Sequence, residues 1–368
     1  MAFKIRDIVN ALEAVAPSSL QEAYDNSGLL VGQMNQEVLQ ALLCLDCTEE
    51  VVQEAIDKHC QLVIAHHPIV FSGLKRFNSS NYVQRCIELA IRNKVAIYAI
   101  HTNLDNVLQG GVNAKIAERL GLVNGRILQP MPSQMLRLDV YVPQENADEL
   151  ESALFDAGAG QVGAYSECRF AIDGSGSFTP GEGSDPYLGS QGVREFVAER
   201  QISVVLPASL RSAVLSAMYK HHPYEEVAHH LWALDNAHPD FGAGLVGELP
   251  QAMSEAEFLA HLKSSMDLHN FRFTPRKHNG PIKTVALCGG AGSFLIKKAR
   301  ACADAYVTAD VKYHEFFDTE KELLLCDIGH FESERFTQER LAEILSHKFP
   351  NFATLFTQTN TNPVRYYL

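Results

Sequence analysis

The chain has 368 residues, 46% of them hydrophobic and 20% charged, with a net charge of −13. That length exceeds what one hydrophobic core serves, so two or three domains are expected in a soluble globular protein. The acidic balance argues against a surface that coats nucleic acid, and no basic run is present, which leaves only a local groove for such a partner.

Met1 to Asn10 lacks the apolar core of a signal peptide, and no stretch approaches the length of a membrane span. A cytoplasmic protein is therefore expected. The eight cysteines are scattered through apolar segments, as reduced buried thiols are. Cys44 and Cys47 form a C-x-x-C, but at a strand end and without a second pair at zinc-finger spacing, so a structural role is expected.

Residues 5–16 carry Ile5, Ile8, Val9, Leu12 and Val15 at helical spacing. A turn-rich entry at 24–32 leads into a strand, and residues 39–46 form the next; Asp25 reads as a turn former, with a site residue as the alternative. Thr48 followed by Glu49 and Glu50 opens a helix. The apolar run 62–65 is a buried strand, stopped by His66, His67 and Pro68 because proline has no N–H for a sheet ladder. A helix over 82–93 and a strand over 95–100 repeat the pattern, ending at His101 and Asp105. Helix 112–120 follows. These β-α-β units predict parallel strands that deliver imidazoles and a carboxylate to one sheet edge.

A linker near 131–136 opens a separate unit ending near 236, with a β-α-β-β-α-β order that reads as ferredoxin-like. Strand 242–249 and a helix from Ser254, with Glu257 at capping-box spacing, come next. Strand 285–288, a loop Gly289 to Ser293, helix 294–303 and strands 305–308 and 323–328 follow. A helix over 333–346 and a strand over 352–358 close the chain. The glycine loop reads as a tight turn, with backbone anion binding as the alternative.

His66 and His67, taken alone, fit metal ligands and hydrogen-bonded core histidines equally well. His330 and Glu334 tip the choice: four residues apart on a helix, they reach one ion together. With Asp105 they make three imidazoles and two carboxylates at strand ends. That mixture suits zinc, iron, manganese, cobalt or nickel rather than calcium or magnesium. Five donors exceed one tetrahedral ion and match two ions sharing a carboxylate, about 3.5 to 4 Å apart. The other pair, His221 and His222, closes a helix with no strand end to present it, and reads as structural or interfacial.

Tyr24 to Leu29, Ala65 to Pro68, His101 to Asp105, Thr308 to His314 and Gly329 to Glu334 together resemble the motifs of the Nif-three-like family, the GTP cyclohydrolase I type II homologs. The resemblance covers nearly the whole chain. Ala309, where glycine is usual, and Ala114, where an acidic residue is common, are small departures. The resemblance implies an α/β Nif-three-like fold, two α/β halves (1–130 and 237–368) sharing a metal cleft, interrupted by a PII/CutA-like ferredoxin-fold insert (131–236). It implies two divalent ions per chain, with His67 and Asp105 on one, His66 and His330 on the other, and Glu334 bridging. It also implies a toroidal homohexamer, a trimer of dimers.

The function expected is a metal-dependent hydrolase acting on a small nucleotide, phosphorylated or cyclic substrate through a metal-bridging water. His101 and His314 are its candidates for ligand support or proton transfer. The alternative is a hexameric scaffold or metal-handling protein without turnover.

Overall fold

Amphipathic spacing places the first elements. After β1 (Phe3–Lys4), helix α1 (Ile5–Val15) buries Ile5, Ile8, Val9 and Leu12 along one face. The computed structural model describes residues 3–367. β2 (Gly28–Val31) and β3 (Glu37–Val38), the partner of β1, precede β4 (Gln40–Cys44). Thr48 caps α2 (Glu49–Asp57), its Oγ1 accepting from the Val51 N–H at 3.3 Å. β5 (Leu62–Ala65) is buried at every position, as its unbroken apolar run requires, and each of its large side chains contributes roughly 1.5–3 kcal/mol by burial. Next come α3 (Tyr82–Arg92), β6 (Ala96–Ala99), the short α4 (Thr102–Asp105), α5 (Val112–Leu120) and β7 (Val123–Pro130).

Residues 131–238 form a unit of their own. It consists of β8 (Met135–Pro143), α6 (Ala147–Asp156), β9 (Arg169–Phe178), β10 (Glu195–Pro207), α7 (Arg211–His221) and β11 (His229–Leu234). The sheet order β11-β8-β10-β9, antiparallel throughout, is the ferredoxin-like arrangement read from the sequence. β10 is longer than the sequence suggests: residues 195–201 and 202–207 make one strand, paired with the whole of β9. Leu138, Val140, Ile202, Val204 and Leu206 face the helices and form the core. His222 is buried, its Nε2 donating to the Tyr141 carbonyl at 2.8 Å while Nδ1 accepts from the Tyr224 N–H at 3.1 Å. Those bonds give it the structural role its sequence position suggests.

Residues up to Pro130 and from Pro239 onward form the other unit. Its later part holds β12 (Gly242–Met253), α8 (Glu255–Ser265), β13 (Arg272–Thr274), β14 (Ile282–Ala291), α9 (Ile296–Arg300), β15 (Ala305–Ala309), β16 (Leu324–Asp327), α10 (His330–Glu334), α11 (Thr337–Lys348) and β17 (Ala353–Phe356). Two mixed sheets result, a five-stranded β17-β4-β5-β6-β2 and a six-stranded β13-β16-β15-β14-β12-β7. Each has parallel strands at its centre, β4-β5-β6 and β14-β15-β16. Each also takes an edge strand from the opposite end of the chain: β17 joins the first sheet and β7 the second. The sequence did not show this exchange, because an edge strand carries no mark of which sheet it will join.

Among the described residues no helix is long and apolar enough to cross a membrane, and all eight cysteines are unpaired, six of them buried.

After β17 the chain is tied down by one carboxylate. Glu54 accepts from Lys58, from Thr357 Oγ1 at 2.6 Å, from the N–H of Gln358 at 2.8 Å and from Thr359 Oγ1 at 2.8 Å. Burial opposes its ionisation, but these donors outweigh it and bring its pKa down to about 2. The depressed value makes the contribution to stability full above about pH 4.5 and lost as pH falls toward 2. Glu54→Gln should therefore lower Tm at pH 7 by about 2 to 4 °C, for a loss on the order of 1 kcal/mol. Thermal melts across that acid range should show a shallower decline than in the parent chain.

Candidate metal centre

Parallel strands end at one edge, and both sheets place their polar residues there. Asp46 follows β4, His66 and His67 follow β5, and His101 precedes α4, which ends at Asp105. From the second sheet, β16 leads to Gly329 at φ 91°, a left-handed turn that glycine adopts without strain, and then to α10 with His330 and Glu334 one turn apart.

Every imidazole in the cluster is anchored through Nδ1. His66 donates to the Ile100 carbonyl (2.8 Å), His67 to Asp46 (2.8 Å), His101 to Asp25 (2.8 Å) and His330 to Asp310 (2.6 Å). An acceptor at Nδ1 fixes the tautomer and leaves the Nε2 lone pair for a metal ion. Asp310 takes up a left-handed φ of 56°, which aspartate tolerates.

The Nε2 atoms face two carboxylates. His66 Nε2 lies 3.6 Å from Asp105 Oδ1 and 3.9 Å from Glu334 Oε1. His67 and His330 Nε2 lie 3.0 and 3.1 Å from Glu334 Oε2 and 3.4 Å from each other. Two donors each about 2.1 Å from one ion stand about 3.0 Å apart at a right angle and about 3.4 Å apart at the tetrahedral angle. The donor atoms of His67, His330 and Glu334 fall within that range, while His66 stands somewhat farther from Asp105 and Glu334. The close sets are His66, Asp105 and Glu334 on one side and His67, His330 and Glu334 on the other. The resemblance implies the pairs His67 with Asp105 and His66 with His330 about the same Glu334.

Buried His66 Nε2 and Asp105 Oδ1 have no hydrogen-bond partner among the described residues. Polar atoms buried without a partner are costly, so both being aimed at one gap indicates an ion as the missing group. Electrostatics agree. Burial, then the Glu334 carboxylate, raise Asp105 to about 7. Burial works against the Glu334 carboxylate too, but the facing imidazoles hold it well below its usual range. Burial likewise disfavours the imidazolium forms of His67 and His330, yet their hydrogen bonds to carboxylates raise them to about 10 and about 9. Protons thus stand in for metal charge.

Of the residues singled out in the sequence, His66, His67, Asp105, His330 and Glu334 come together, and His101 joins His66 and His67 with ligand atoms within 4.8 Å. His314 does not. A 3-10 turn over Tyr313–Thr319 carries it away from the end of β15, exposed, with its ring against Tyr313 and Phe317. The glycine stretch at 289–293 is not a loop, since β14 runs to Ala291. Two of its N–H groups are already used, Gly289 bonding Asn113 Oδ1 (2.9 Å) and Gly290 bonding Ser333 Oγ (3.0 Å). A Cβ at Gly290, which has φ +63°, would lie 2.3 Å from Glu334 Oε1, so this glycine makes room for the carboxylate. Sequence reasoning passed over Asp46 and Asp310 and took Asp25 for a turn residue. It does accept the Asn26 N–H, but it also holds His101 and Thr102. An acidic residue at the end of each flanking strand was the available signal.

The Duf34/NIF3 (NGG1p interacting factor 3) family model matches residues 3–363. The chain belongs to the DUF34/NIF3 family. Proteins named GTP cyclohydrolase 1 type 2 homolog from Bacillus subtilis (strain 168) and Halalkalibacterium halodurans are each 36% identical to this NIF3-family chain, over 97% of it and 97% of their own lengths. The solved structure of a Bacillus cereus protein related to NIF3 superposes with a TM-score of 0.84 at 38% identity, covering 99% of both chains. The family resemblance read from the five motifs is thereby established.

Metal ions must displace the protons on His67 and His330. Affinity should rise with pH by about one to two log units per pH unit until about pH 9, and binding at pH 7 should release protons. Titration calorimetry in buffers of different ionisation enthalpy would show heats that vary with the buffer. Glu334→Gln should lose most of the bound metal while keeping its circular dichroism, and Gly290→Ala should lose a similar share by displacing the same carboxylate. Elemental analysis unchanged in both variants would contradict the site.

Proposed function

We propose that this chain is a dinuclear metal-dependent hydrolase acting on a small substrate. The observation that carries the reading is the set of five donors with Glu334 between two histidine groups and two buried atoms left unpaired. Two divalent ions, drawn from zinc, iron, manganese, cobalt or nickel, would supply a water acidic near pH 7 and a Lewis-acid hold on a substrate oxygen. His66, Asp105 and Glu334 would hold one ion, and His67, His330 and Glu334 the other. Asp46, Asp310 and the Ile100 carbonyl orient the imidazoles. His101, steadied by Asp25, offers its Nε2 as the place where a proton is taken up and returned. The relatives' name, GTP cyclohydrolase 1 type 2 homolog, is compatible with hydrolysis of a nucleotide or other cyclic compound.

The same reading extends to assembly as a ring of six, with the ferredoxin-like unit as a PII/CutA-like trimerising element. Support comes from the side of its sheet away from the helices, where Phe170, Ile172 and Trp232 stand exposed. Light scattering should then report six copies of the 40.7 kDa chain.

Turnover is tested by screening phosphatase, nucleotidase and cyclohydrolase substrates with metal-loaded and metal-stripped protein. A hydrolase should show activity that is lost on stripping and lowered on the order of a hundredfold or more by Glu334→Gln. Full metal content with no turnover above the stripped control would favour a scaffold or metal-handling role instead.

A further inference from the structure

Two cavities meet at the donor cluster, of about 630 and 710 Å³, and both are lined by His67 and His330. They differ in chemistry. The larger one also holds Asp105, Glu334 and His101, so it opens onto both metal positions. Its outer lining is aromatic and acidic. Tyr24, Phe71 and Phe294 are 65%, 48% and 61% exposed, though apolar rings of this size gain most from being covered. Tyr24 and Phe71 lie 6.2 Å apart, tilted by 35°, and Phe71 stands edge-on to His101 at 6.3 Å.

The polar groups among these rings include several acceptors. Asn106 Nδ2 is engaged by the Leu20 carbonyl (3.0 Å) and by Glu22 Oε1 (3.1 Å), so Asn106 has only its Oδ1 to offer a ligand. Glu22 keeps its other carboxylate oxygen. Gln129 adds an exposed carboxamide. Among the described residues no lysine or arginine lines the cavity. A chain of phosphates reaching beyond the ions would meet Glu22 and no cation. A flat ring bearing N–H groups would meet faces to stack on and oxygens to bond.

Resting on the reading of the cluster as a metal centre, we infer that this cavity receives an uncharged planar nitrogen heterocycle. The ring lies against Tyr24 and Phe71, and its N–H and amino groups donate to Glu22, Asn106 and Gln129. A polyphosphate chain has no place in it. Ligand size agrees, since 710 Å³ is within the range of small-molecule sites.

The test is calorimetric titration of the full chain, zinc-loaded and metal-stripped, with guanosine, cytidine, pterin, GTP and pyrophosphate, and with zinc content measured on the same samples. At least one of the three uncharged heterocycles should bind the loaded protein, with GTP no tighter than guanosine and pyrophosphate weaker than the best heterocycle. Tyr24→Ala and Glu22→Ala should each weaken that binding tenfold or more, while zinc content and circular dichroism stay unchanged. Tyr24→Phe should retain it, which separates ring stacking from loss of fold. The inference is overturned if none of the three heterocycles binds, if Tyr24→Ala and Glu22→Ala leave affinity unchanged, or if GTP or pyrophosphate binds tenfold tighter than guanosine. Absence of zinc from the parent chain would instead refute the metal centre, and the stripped samples would still report whether the heterocycle cavity exists.

Discussion

Glu334 is nearly fully buried, 3% exposed, and holds its charge among three imidazoles, His330 on its own helix and His66 and His67 from a sheet more than 260 residues earlier in the chain. A carboxylate buried that deeply is unfavourable unless opposite charge or an ion compensates it. Protons on His67 and His330 provide that charge in the metal-free chain, and metal ions would provide more. The same interaction spans the two sheets, so whatever strengthens it also fixes how their carboxyl edges face each other. Gly290 belongs to this constraint, since any side chain there would push against the carboxylate. So does Ser333, which joins the Gly290 N–H to the His330 carbonyl behind it.

Strand exchange reinforces the arrangement by a different means. β7 completes the second sheet and β17 the first, so neither half is closed without the other. Two covalent crossings and a shared core limit the sliding of one sheet against the other. Glu54 then captures the chain as it leaves β17. From there Thr361 reaches Asp46 at 2.7 Å, the residue that orients His67. The C-terminal segment thus ends up lining the smaller cavity through Asn362, Val364 and Tyr366.

Much of this was legible in the amino acids. Residues 62–65 and 95–100 announced buried parallel strands, the proline after His67 marked where the first stops, and the i,i+4 spacing of His330 and Glu334 set them on one helical face. Those are local signals, carried by periodicity and backbone chemistry. The residues that orient the ligands were not legible, since Asp46 and Asp310 look like ordinary turn acids until the fold brings an imidazole within 2.8 Å. His314 stands apart for the converse reason. It follows a strand end as the clustered residues do, but a 3-10 turn intervenes and turns it toward solvent. The glycine stretch is structural, as its sequence suggests, but the steric role of Gly290 was not legible, because the atom it accommodates lies more than forty residues downstream.

The two cavities give the centre a direction that its ligands alone do not. His67 and His330 line both, whereas Asp105 and Glu334 line only the larger. Asp105 is also the donor whose charge is least favoured without an ion, through its burial and through Glu334. An ion at His66 and Asp105 would relieve that conflict and sit on the floor of the aromatic cavity, beside His101. The smaller cavity meets only the His67 and His330 side, where the imidazoles already balance Glu334. The larger face is therefore the one on which a bound ion changes the local electrostatics most. A substrate placed there would be held by the aromatic rings and acted on by the side of the centre that most needs its metal.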